Sequence, residues 1–138
     1  ETRYPWIVEE YALRQDSGGA GEHRGGLSIS KTMLCTGDVM ISQMTNKHIR
    51  TSWGLKEGKE SISGATLFQA KGANDWQTIK QAFGKVSSSK YSNVPIHPDE
   101  RVSVKAPGGG GFGSGGFGSS GFGGSGSGGS GGSGFFIG

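Results

Sequence analysis

Between Trp6 and Arg14 the side chains alternate: Ile7, Glu9, Tyr11 and Leu13 share one face, and Trp6, Val8 and Ala12 share the other. That period of two is the signature of a strand. Pro5 would also suit the first turn of a helix. The concentration of Trp, Ile, Val and Tyr, followed at once by Asp16-Ser17-Gly18-Gly19, favours a strand that ends in a loop. Two more β-rich runs, Leu27 to Thr36 and Val39 to Thr45, flank Gly37-Asp38. This arrangement predicts a hairpin with Gly37 at positive φ. Ala65 to Ala70 and Arg101 to Lys105 add two strands, the second closed off by Pro107. The stretch Asn74 to Phe83 reads either as a short helix capped by Asn74 or Asp75, with Trp76, Ile79 and Phe83 on one side, or as a strand pair. Many short strands between turn signals predict a mainly all-β fold, with two sheets in a barrel-like arrangement that leaves few edges exposed.

Composition divides the chain in two. Of 29 glycines, 18 fall in residues 108–138, and the 32 residues from Pro107 onward carry no charge. The expected organisation is a β-sheet domain over residues 1–106 and a Gly/Ser/Phe-rich segment over residues 107–138. A flexible linker would account for the glycine and serine. Phe112, Phe117, Phe122 and the ending Phe135-Phe136-Ile137 need burial instead. Glycine-rich chains pack as side-by-side polyproline-II-like segments, because residues without Cβ let backbones approach. A bundle of that kind is expected here, covered by partner surfaces that offset the entropy of ordering glycine.

The net charge is +3, and the basic residues are spread among acids, which argues against nucleic acid. Cys35 is the only cysteine, so the chain forms no internal disulfide, and a reducing, cytoplasmic location is expected. No run is long and apolar enough to suggest a membrane span, and residues 1–14 lack the features of a signal peptide.

The densest polar cluster is Asp16-Ser17-Gly18-Gly19-Ala20-Gly21-Glu22-His23-Arg24-Gly25-Gly26. It is a poor phosphate loop, since β-rich sequence and no helix follows it. A glycine-shaped corner is the better reading, with Asp16 and Ser17 bonding backbone amides and Arg24 pairing with an acid. His23, His48 and His97 lack ligand spacing, so no metal site is assigned. Ser17 beside Asp16 and near His23 does not make a triad, whose members converge from distant segments. Cys35, inside a strand, is read as a small buried side chain. Neither a catalytic nor a cofactor-binding residue is assigned. If any side chains reach chemistry, the candidates are Asp16, His23 and Arg24, exposed on the corner toward a neighbouring subunit.

Tyr4-Pro5, then Glu10-Tyr11-Ala12-Leu13-Arg14-Gln15-Asp16-Ser17-Gly18-Gly19-Ala20-Gly21 and Arg24-Gly25-Gly26, resemble the signature of the hydantoinase B and oxoprolinase family. Trp53-Gly54-Leu55, Gly58 and Pro107-Gly108-Gly109-Gly110-Gly111-Phe112-Gly113 resemble later landmarks in the same order. The similarity is to a late portion of much longer family chains and, within the family, to the small subunits of ATP-dependent ketone carboxylases. It implies a heteromeric complex in which larger hydantoinase- or carboxylase-type subunits bind ATP with a divalent metal and bicarbonate, while this chain supplies architecture and no cofactor site. A hydantoin- or oxoproline-hydrolysing complex is the alternative reading, and a glycine-rich non-enzymatic scaffold is a third.

Overall fold

The computed structural model describes residues 3–113 and 134–137. Eight strands and one short helix follow in order: β1 Trp6–Leu13, β2 Ile29–Cys35, β3 Val39–Met44, β4 Ala65–Gln69, β5 Gln77–Thr78, α1 Ile79–Phe83, β6 Lys90–Ile96, β7 Arg101–Lys105 and β8 Gly134–Ile137. They form two antiparallel sheets, one ordered β1-β2-β7-β4-β5 and the other β6-β3-β8.

The inward residues follow the period of two. Trp6, Met33, Cys35, Phe68 and Val102 from the first sheet meet Val39, Ile41, Tyr91, Val94 and Ile96 from the second in one core. Ile79 of α1 joins that core, and Phe83 stands edge-on to Phe68 with ring centroids 4.8 Å apart. Burying such side chains contributes about 1.5–3 kcal/mol each, which is what holds the two sheets together.

Neither sheet closes into a barrel, contrary to the sequence expectation: among the described residues β1, β5, β6 and β8 remain edges. The edges are blunted locally instead. Glu9 is the extra residue of a bulge in β1, and its carboxylate takes two hydrogen bonds from Arg101, at 2.8 and 3.0 Å. β6 carries Pro95, and Asn93 at φ +52°. Bulges, charges and proline at an edge all discourage pairing with another chain, so closure is not needed to protect it.

The expected hairpin across Gly37-Asp38 is also corrected, because β2 and β3 belong to different sheets. Both edges of β2 are already taken, by β1 and β7. The chain therefore crosses from one sheet to the other at this point. Thr36 N donates to Pro5 O, Cys35 Sγ donates to Gly37 O at 2.8 Å, and Gly37 does not adopt positive φ. In the stretch 74–83 neither Asn74 nor Asp75 caps the helix. Thr78, the last residue of the short strand β5, does so in a reciprocal box with Gln81.

The expected polyproline-II-like bundle falls mostly on residues 114–133, outside the described residues. Of the glycine-rich segment, residues 107–113 and 134–137 are described: the first pack into the corner that carries the candidate site, and the second form strand β8 beside β3 and not a polyproline-II-like segment.

Candidate functional site

Three segments distant in sequence, 17–26, 53–59 and 107–113, lie backbone against backbone. Gly19 N donates to Gly109 O (2.8 Å) and Gly109 N to Gly26 O (3.0 Å). Gly111 N donates to Lys59 O (2.9 Å), Lys59 N to Ala20 O (2.7 Å) and Leu55 N to Gly111 O (2.9 Å). The spacing leaves no room for side chains. A Cβ on Gly108 would lie 1.8 Å from Ser17 O, and one on Gly110 would lie 2.0 Å from Trp53 O. Neither glycine has positive φ, so contact with neighbouring carbonyls, and not the Ramachandran map, requires glycine there.

Ser17 locks the start of the corner. Its buried hydroxyl donates to Arg14 O and accepts from Ser28 N, both at 2.7 Å. The Arg14 guanidinium reaches past it, and one nitrogen donates to Ser63 O (3.0 Å) and Ala106 O (2.5 Å). One side chain thus ties the loop before β4 to the exit of β7. Desolvation lowers the Arg14 pKa from its ordinary value, leaving a cation partly withdrawn from water and used as a staple.

On this frame stand the side chains that reach solvent. Asp16 and Arg24 form an exposed ion pair at 2.6 Å, with Asp16 at φ +54°. Of the backbone bonds expected of the corner, Ser17 makes them, while the Asp16 carboxylate takes Arg24. His23 stands apart from that pair. Its backbone exchanges two hydrogen bonds with Phe112, both 2.9 Å, and its ring lies 5.9 Å from the Phe112 ring. Leu55 bridges Phe112 from the other side, and Lys56 Nζ sits 5.3 Å from the centre of that ring. Trp53 is 75% exposed, Leu55 52% and Phe112 40%.

Large apolar groups held in water on a rigid frame mark an interaction surface. Apolar contact, stacking and ion pairing are what this patch can do. The pattern Trp53-Gly54-Leu55 was the available signal, since a glycine between two large apolar residues frees the backbone to pack while both flanking side chains point away. Phe112, expected from the sequence to need burial, stays exposed and is held by His23 and Leu55, while Arg14 acts through partners remote in sequence.

Elsewhere, one hydroxyl–imidazole pair has the look of a nucleophile and base. Thr45 Oγ1 and His48 Nε2 are 2.9 Å apart, but the threonine proton already goes to Ser89 O at 3.1 Å. His97 Nδ1 meets Asp38 at 2.7 Å on the surface, which raises the His97 pKa through that hydrogen bond. No group of three or more His, Cys, Asp or Glu side chains among the described residues is placed to hold a metal. No helix among them is long and apolar enough to cross a membrane.

An open two-sheet β sandwich whose loops are knitted by glycine backbones defines the structural class. The chain belongs to the hydantoinase B/oxoprolinase family, whose profile matches residues 1–115. An uncharacterized protein of Methanocaldococcus jannaschii is 32% identical over 113 residues, covering 82% of this chain and 18% of that protein. The 5-oxoprolinase of Saccharomyces cerevisiae is 28% identical over 114 residues, covering 82% of this chain and 8% of its own. A candidate B-type component of a D-/L-hydantoinase from a Pseudomonas species is 24% identical over 113 residues, covering 82% and 18% respectively. The chain therefore spans less than a fifth of the length of these relatives. The comparison with solved structures found no match.

Proposed function

We propose that this chain is a non-catalytic, architectural element of an ATP-dependent assembly, seated on larger hydantoinase- or carboxylase-type subunits through the Trp53, Leu55 and Phe112 surface. The observation that carries this reading is that patch: three large apolar side chains exposed on a backbone too tightly packed to rearrange. The relatives supply a physical context, since they continue far beyond the portion this chain resembles.

Within that frame the reaction we favour is carboxylation of a ketone of the acetophenone type. Acetophenone, bicarbonate and ATP would give benzoylacetate, with nucleotide, divalent metal and bicarbonate held by the partners. Asp16, His23 and Arg24 would then face a partner's cleft. A second reading, a hydantoin- or oxoproline-hydrolysing assembly, is favoured by the names of the 5-oxoprolinase and hydantoinase relatives.

The test is native mass spectrometry of the untagged protein from its source, followed by ATP hydrolysis assays with acetophenone or 5-oxoproline added. Co-purification with larger nucleotide-binding chains, lost when Trp53 and Leu55 are both replaced by Ser, supports the architectural reading. Stimulation by the ketone selects the carboxylase, and stimulation by oxoproline selects the hydrolase. A stable monomer overturns both. Replacing His23 by Ala separates its roles: activity lost with assembly intact places it at the cleft, whereas unchanged activity leaves it a support for Phe112.

A further inference from the structure

Two clefts adjoin where the first sheet outruns the second. One, of about 400 Å³, is lined by His48, Thr66, Lys80 and the serines Ser87 to Ser89. The other, of about 340 Å³, has Tyr11, Ile29, Met33 and Val104 along it, with Lys31 and Lys105 beside them. His48 lines both. They also touch through Gly64 and Pro107, since a Cβ on Gly64 would lie 3.2 Å from Pro107 Cδ and 3.1 Å from His48 Cδ2. Volumes of this size suit a small molecule, for which sites of roughly 300–1,000 Å³ are usual.

The chemistry differs along the groove. Its apolar half is the continuation of the core face: Tyr11 pairs with Lys31, and Leu13 with Ile29, beyond the reach of the second sheet. Tyr11 and Ile29 are exposed there. The polar half is lined by Thr78, Lys80 and the serines Ser87 to Ser89. Desolvation lowers the His48 pKa and so disfavours a charge there. Its Nε2 meets Thr45 Oγ1, whose own proton goes to Ser89 O, so this face of the imidazole is already engaged. The cation at this end is Lys80. The lining residues of the two clefts include three lysines and no carboxylate, and none of the three ammonium groups is ion-paired among the described residues.

We infer that this groove binds a small amphipathic carboxylate, with the acid group at Lys80 and Ser88 and the apolar chain along Tyr11, Ile29 and Met33. The stems of Lys31 and Lys105 extend the apolar wall while their charges stay in water. Neither the occupant nor the site depends on the proposed docking through Trp53.

Octanoate is the probe, titrated into the full chain with Met33 methyl and His48 imidazole signals followed by NMR, beside acetate and 1-octanol. Octanoate should shift both signals saturably and bind at least about tenfold more tightly than either comparator, since only it satisfies both halves. Lys80→Ala should weaken octanoate about three- to tenfold and leave octanol unchanged. Ile29→Ser should weaken both. Equal binding of octanoate and octanol, indifference to Lys80→Ala, or shifts centred on Trp53 and Leu55 would each overturn the assignment. Ser88→Ala, on the polar lining of the same groove, provides a second variant: it should bind octanoate more weakly, and unchanged binding would count against the site.

Discussion

A methyl group on Gly25 would fall 2.1 Å from the carbonyl oxygen of Gly109, a residue 84 positions away whose amide donates to Gly26 O. Gly26, its neighbour, has nothing within 4 Å of its own would-be Cβ and does not sit at positive φ. Two adjacent glycines therefore make opposite predictions. Gly25→Ala should destabilise the protein by about 3 kcal/mol through forced backbone displacement. Gly26→Ala should be neutral or slightly stabilising, because it removes freedom from the unfolded chain. Urea denaturation of the two variants checks the contrast, and equal losses would mean that the corner is looser than described.

Ser17→Ala should cost roughly 1–3 kcal/mol, because it strips Ser28 N of its buried acceptor and Arg14 O of a donor in one step. Ser17→Thr would add a methyl group at a position with no exposed surface and should not rescue it. Thermal unfolding of both variants provides the measurement.

The pH dependence of stability should have two opposed histidine contributions. Desolvation depresses the folded-state pKa of His48 below its ordinary 6.5. Its contribution is present above that value and is lost as the pH falls from 6.5 through the folded-state value. The His97 pKa is raised, first by its hydrogen bond to Asp38. That contribution is complete below 6.5 and disappears as the pH rises through the folded-state value. His48→Gln should flatten the loss of stability on acidification, measured as the urea midpoint from neutral pH to about pH 5. Asp38→Asn should return the His97 titration toward its ordinary value in NMR, leaving His48 unmoved.

Cys35 should be inert in the native protein. It is fully buried, its thiol donates to Gly37 O, and desolvation pushes its pKa up. Alkylation should be at least about tenfold slower in buffer than in denaturant, because the thiolate is the reactive form. Comparable rates would show that the turn between the sheets opens readily.

Strands with regular alternation and β-branched cores were legible from the sequence: β7 was expected from Arg101 to Lys105 and is found there. β6 was not among the expected strands, and Ser92-Asn93 and Pro95 interrupt its alternation. An edge strand tolerates both, Asn93 at positive φ beside a register shift and Pro95 within the strand. The pairing of β2 and β3 was misread because a Gly-Asp dipeptide carries the local signal of a hairpin, whereas the choice of partner was made by β1 and β7 from far along the chain. The candidate site divides the same way. Asp16 and Arg24 were visible because they lie on one loop, and the Phe112 platform was not, because His23 and Leu55 reach it only after folding.

The knitting of residues 17–26, 53–59 and 107–113 also has a consequence for the order of events in folding. Its hydrogen bonds close loops of many tens of residues, and such contacts form late because the entropy of closure precedes any gain. Gly19 and Gly26 are synthesised well before Gly109, and their hydrogen bonds to it cannot form until it emerges. The corner, with the surface it displays, thus acts as a seal that can be set only on a chain already synthesised past β7. A truncated product ending before Gly108 would leave Trp53 and Leu55 without the backbone that supports them.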